Sequence, residues 1–116
     1  MGRRASQSKE NPMNIGLTTL GNVLANDSRF DQAHSLYLPM DEVWQLKTKC
    51  AVLAQSDLDG VPDVAQQNGL SYALEIAAVQ QIVANAREQI TGVSLAQLLQ
   101  AFLFYYYHDA FITFGE

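Results

Sequence analysis

From Trp44 the even positions read Trp44, Leu46, Thr48, Cys50 and Val52, while the odd ones carry Gln45, Lys47 and Lys49. That period of two is the mark of a half-buried strand. A second alternation, Leu70, Tyr72, Leu74 and Ile76 against Ser71, Ala73 and Glu75, predicts another strand directly after the turn residues Asn68-Gly69. Ser35-Leu36-Tyr37-Leu38 reads as a brief strand that Pro39-Met40-Asp41 reverses. The period then lengthens. Val79, Ile82, Val83, Ala86 and Ile90 recur at helical spacing with Gln80, Gln81, Asn85 and Glu88 between them, an amphipathic helix ended by Gly92. Ser94, with Gln97 following as its reciprocal partner, forms a capping box for a last helix that runs to about His108. Phe111 to Phe114 reads as a terminal strand.

The earlier chain is less regular. Thr18 or Thr19 caps a short helix carrying Leu17, Leu20, Val23 and Leu24, which closes near Asn26-Asp27 and which Gly21 weakens. Asp57-Leu58-Asp59-Gly60 makes a turn, and Pro62 and Gly69 bracket a helix with Val61, Val64 and Ala65 on one side. Residues 1–14 are polar and aperiodic, a disordered tail, which leaves 15–116 as a single domain. Strands grouped early and helices late define an α+β class: a small, mostly antiparallel sheet of about three to four strands, packed by C-terminal helices on one face.

Charge narrows the partners. The chain of 116 residues has a net charge of −5, and three of its seven cations, Arg3, Arg4 and Lys9, fall in the tail. From Ile15 onward, four cations face eleven anions. An acidic body repels phosphate backbones and attracts basic proteins, so nucleic acid is not an expected partner. Cys50 is the only cysteine, which rules out a disulfide framework and fits a reducing cytoplasm. The longest apolar run, Leu95 to Tyr107, is too short for a membrane span and holds Gln97 and Gln100. No apolar stretch follows Arg3-Arg4 as a secretory signal would require. Gly2 and Ser6 match the myristoylation pattern in form, and a plain flexible tail is the preferred reading.

The last helix carries more apolar circumference than one packed face requires. Leu95, Leu98, Leu99, Phe102, Leu103 and Tyr106 make the expected core face. A second stripe, Gln97, Gln100, Phe104, Tyr107 and Phe111, begins polar and ends aromatic, and seven of the eleven aromatics of the chain lie beyond residue 100. Each large ring presents roughly 150–250 Å², so an uncovered stripe exceeds an ordinary surface patch. Either the chain covers it, or Phe104, Tyr105, Tyr107, His108 and Phe111 bind a partner, with Tyr105 and Tyr107 at the rim.

Chemistry finds little support. His108-Asp109 has the residue types of a general-base pair, yet neighbours on a helix point apart, and His108 is better read as complementing the helix dipole. Asp57, Asp59 and Asp63 around Gly60 resemble the acidic start of a calcium loop, but Gly60 stands where a ligand belongs and no Glu closes the loop. They are read as solvated acidic surface, with no metal and no cofactor expected. Cys50 shares the buried face of its strand and is expected to be inert. No phosphate-binding glycine run, HExxH or GxSxG motif occurs.

Three functions follow. The leading one is a non-enzymatic, acidic protein-binding module that docks a basic partner. Its small, acidic, cytoplasmic profile is similar to that of inhibitor or immunity proteins of bacterial toxins, though no motif carries the similarity. The alternatives are a structural domain that forms a symmetric homodimer, and a small-ligand binder or enzyme using Tyr72, Tyr105, His108 and Asp109 around a pocket.

Overall fold

Leu36 and Leu38 face one way and Tyr37 the other, and all three are fully buried. The strand they occupy therefore needs cover on both sides of its sheet. The structure, a computed structural model, describes residues 16–54 and 63–115. In chain order the elements are β1 (Leu17–Thr19), α1 (Leu20–Ala25), a 3-10 turn (Asp27–Arg29), β2 (Ser35–Pro39), β3 (Lys49–Leu53), α2 (Asp63–Gln67), β4 (Leu70–Glu75), α3 (Ile76–Gln89) and α4 (Leu95–His108). Among the described residues the sheet has four strands in the order β1-β3-β2-β4, every pair antiparallel. With helices packed against it, this is the expected α+β fold.

On one face Leu36, Leu38 and Cys50 meet Leu20 and Leu24 of α1, Ile82 and Val83 of α3, and Leu98 and Phe102 of α4 in the main core. On the other, Tyr37, Ala51 and Leu70 form a smaller cluster with Ala65, so α2 covers what the longer helices do not. The Tyr37 ring meets the Tyr72 ring edge-on at 6.1 Å. Burial pushes the Tyr37 phenol up from its ordinary value, with Ser35 opposing. Its buried hydroxyl makes no hydrogen bond of good geometry among the described residues.

The alternation from Trp44 is a strand only from Lys49 onward. Register explains this: β1 pairs Thr19 with Lys49 and then turns into α1, so the residues before Lys49 have no strand to continue beside. They serve the helix instead. Leu20 N–H donates to Thr48 O at 2.9 Å and Gly21 N–H to Leu46 O at 2.8 Å, which satisfies donors that a helix start leaves free. Thr48 is buried because its hydroxyl accepts the Gln45 N–H at 2.7 Å while its own N–H donates to Gln45 O. The helix expected from Leu17 begins at Leu20, with Thr19 as N-cap accepting the Asn22 N–H, and Leu17 lies in β1.

The second alternation is broken by a bulge. Leu36 stands opposite Leu74 but Tyr37 opposite Tyr72, so Ala73 is an extra residue. It turns into the main core while Tyr72 is left exposed on the other face. Leu70 and Leu74 consequently serve different clusters, and Ile76 is buried as the first residue of α3. Phe111–Phe114 is not a strand. The Gln89 side chain accepts the Phe114 N–H at 2.9 Å and donates to Ile112 O at 2.8 Å, so one carboxamide takes the place of a strand partner. Ile112 and Phe114 thereby rest on the core.

Candidate functional site

The capping box on α4 forms as its residues predict: Ser94 Oγ accepts the Gln97 N–H at 3.1 Å, and Gln97 Oε1 accepts the Ser94 N–H at 3.0 Å. This start fixes which residues face the sheet. Leu98, Ala101 and Phe102 are buried, Leu99, Leu103 and Tyr106 are half-buried, and Leu95, expected in the core, is 40% exposed in the first turn of the helix. The helix ends on Asp109, whose φ of 55° is left-handed and whose N–H donates to Tyr105 O at 2.8 Å.

The second stripe does not disappear into the chain. Tyr107 is 71% exposed and Phe111 42%. Phe104 is half-buried and stacks on His108 with ring centroids 4.4 Å apart. Tyr105, expected at the rim, is half-buried, packs against the main core and meets Phe111 at 5.4 Å. Phe104, Tyr105, Tyr107, His108 and Phe111 lie at the C-terminal end of α4 and just beyond it, and of these Tyr107, His108 and Phe111 are exposed while Phe104 and Tyr105 are half-buried.

Sequence reasoning missed a second contributor. Trp44 is buried, donates its indole N–H to Pro39 O, and packs edge-on to Tyr106 at 4.6 Å and against Phe102 at 6.0 Å. It nails the β2–β3 loop to α4 and leaves Met40 and Val43, 45% and 79% exposed, standing at the surface. The Tyr106 hydroxyl points to Met40 Sδ at 3.8 Å, and the Tyr106 and Tyr107 rings lie edge-on at 5.2 Å. Asp41 and Glu42, between the two exposed apolar residues, are themselves exposed and have no ion pair among the described residues. The only hint in the sequence was an apolar pair set among turn and acidic residues, Pro39-Met40-Asp41-Glu42-Val43.

The residues weighed for chemistry stay apart. Tyr72 lies with Tyr37 across the sheet from α4, so it does not meet Tyr105, His108 or Asp109. No cavity opens among the described residues. His34 stands 3.8 Å from Asp31 at the surface, remote from His108. Cys50 is fully buried, and desolvation pushes its thiol up to about 12. Asp57 and Asp59 lie outside the described residues, as does the side chain of Asp63 at the start of α2. One buried carboxylate escaped notice: Asp27, held 3.8 Å from Arg87, in a turn whose carbonyls at Asp27 and Phe30 both accept from the Gln80 side chain. That arrangement is structural, tying the loop after α1 to α3. No described helix is long and apolar enough to cross a membrane.

With this fold and surface, the chain belongs to a family described only as a domain of unknown function, DUF7716, whose model matches residues 17–114. The match takes in every described element and both halves of the aromatic surface. Neither the curated proteins nor the solved structures contain a match to this chain.

Proposed function

We propose that this chain is a small, acidic, non-enzymatic protein-binding module of the cytoplasm, of inhibitor or immunity type, that docks a basic protein through the C-terminal end of α4. The observation that carries the reading is Tyr107, 71% exposed beside rings that hold each other in place. An aromatic that is fixed yet open contributes little to folding, and at an interface it supplies contact area at low entropic cost. The charge supports a cationic partner, since the sequence from Ile15 onward carries eleven anions and four cations.

The test is capture from the native host at low ionic strength, with wild-type chain and the Tyr107→Ser variant run side by side. A basic protein recovered by the wild type is then purified and titrated against both. The reading expects at least about a tenfold loss of affinity in the variant, as for an aromatic hot spot. Equal affinity for both chains removes the α4 surface from the interaction.

A further inference from the structure

The β2–β3 loop and α4 present one continuous surface that α4 alone does not explain. Of its apolar members, Met40 and Tyr107 are linked through Tyr106, and Val43 stands exposed on the same loop beside Trp44, which is buried against Tyr106 and anchors the loop. Among the described residues, none covers Val43, which is 79% exposed on a loop that Trp44 holds in place.

The Asp, Glu, Lys and Arg charge carried by the two segments that form this surface has one sign. Residues 30–46 and 88–116, which contain all of it, hold no Lys or Arg. They hold Asp41 and Glu42 at the crest of the loop and Asp109 at the foot of α4, none in an ion pair among the described residues. Lys47, the next cation along the chain, comes after the start of the Gln45–Thr48 turn.

Resting on the docking role proposed above, we infer that this surface receives an arginine-bearing segment of the partner protein. The guanidinium is the group that uses every element present: carboxylates accept its forked donors, tyrosine faces attract its charge, and its methylene stem lies along valine and methionine. A second copy of this chain fits poorly, because a two-fold contact sets this patch, which carries carboxylates and no Lys or Arg, against the same patch.

The sole tryptophan, Trp44, sits under the surface and reports on it by its emission. The probe is a capped, alanine-based peptide of about 14 residues with Arg and Leu on one helical face, titrated against the full chain beside its twin with Glu for Arg. The inference expects the Arg peptide alone to shift Trp44 emission. Raising salt from about 50 to about 300 mM should weaken it about tenfold. Asp41→Asn with Glu42→Gln, and separately Val43→Ser, should each weaken it by a similar factor, with unchanged circular dichroism.

No binding of the Arg peptide, equal binding of the Glu peptide, or indifference to both sets of loop variants overturns the inference. Partner affinity lost on Phe104→Ala with Phe111→Ser but kept on the loop variants overturns it while leaving the α4 docking role standing. Partner affinity kept on all of them, Tyr107→Ser included, removes both. Sedimentation showing a dimer that Val43→Ser dissolves assigns the surface to a second copy and overturns it. So does peptide binding that tightens about tenfold when Arg3, Arg4 and Lys9 are replaced by Ala, which would place the chain's own cations there.

Discussion

At Gly21 two physical preferences oppose each other. In an exposed helix, exchanging Gly for Ala gains about 1 kcal/mol. Here an added Cβ would stand 2.9 Å from the Leu46 carbonyl oxygen and 3.2 Å from its Cβ. That oxygen is already held at 2.8 Å by the Gly21 N–H, so the obstacle is hydrogen-bonded backbone and not a side chain free to swing aside. Overpacking costs about 1–3 kcal/mol and should outweigh the propensity. Gly21→Ala is expected to lower the denaturant midpoint, and a variant more stable than wild type would mean that the Leu46 turn yields. The glycine that weakens the helix on paper is what lets the loop close on it.

Cys50 gives a pH signature of definite sign. Its folded-state thiol is pushed up to about 12 from an ordinary 9.0 by burial. A raised folded value contributes stability that is complete below the unfolded value and lost as pH climbs toward the folded one. Stability should therefore hold up to about pH 9 and decline between there and 12. Tyr37 and Tyr72, also raised chiefly by burial, act in the same direction. Urea unfolding along that range should show a steeper decline in wild type than in Cys50→Ala, by at most about 1.4 kcal/mol per pH unit for one proton. Parallel curves would show that the thiol is not held neutral by the fold.

At the scale of elements, α4 allows the sharpest ranking. Phe102 is fully enclosed, Leu99 half-buried and Leu95 40% exposed. Phe102→Ala should cost about 3–5 kcal/mol, Leu99→Ala less, and Leu95→Ala under about 1 kcal/mol. Ser94→Ala, which breaks the capping box, should cost about 1 kcal/mol. Chemical denaturation of the four variants checks the order; a costly Leu95→Ala would put the first turn of α4 in the core after all.

The same elements show what the sequence could and could not reveal. Helix α4 was legible because its cap and its apolar spacing are local, set by residues three and four apart. The burial of Trp44, Thr48 and Cys50 was legible too, since alternation records which side chains avoid water. It does not record hydrogen-bond partners, so the same alternation could not tell a strand from a turn folded onto the start of α1. The bulge at Ala73 has no local signal beyond a small side chain, because it arises from pairing with β2. At the candidate site the α4 stripe could be read from spacing. The part supplied by Met40 and Val43 could not, since the contact between Met40 and Tyr106 joins residues 66 positions apart.

For the whole molecule, the proposed docking role divides the work of binding between charge and aromatics in a way that kinetics can separate. Long-range attraction between an acidic body and a basic protein raises the association rate and fades with salt. Contacts made only after docking, such as those of Tyr107, govern how long the complex lasts. Tyr107→Ser should therefore raise the dissociation rate about tenfold or more and leave the association rate and its salt dependence nearly unchanged. Asp41→Asn with Glu42→Gln should lower the association rate at low salt, an effect that shrinks as salt screens it. Because Tyr107 is 71% exposed, its replacement should shift folding stability by no more than about 0.5 kcal/mol, so a faster dissociation cannot be blamed on unfolding. Surface-immobilised partner, run at two ionic strengths with wild type and each variant, measures the association and dissociation rates. If Tyr107→Ser instead unfolds the chain, the ring belongs to the fold, and the surface at the end of α4 loses its claim to a partner.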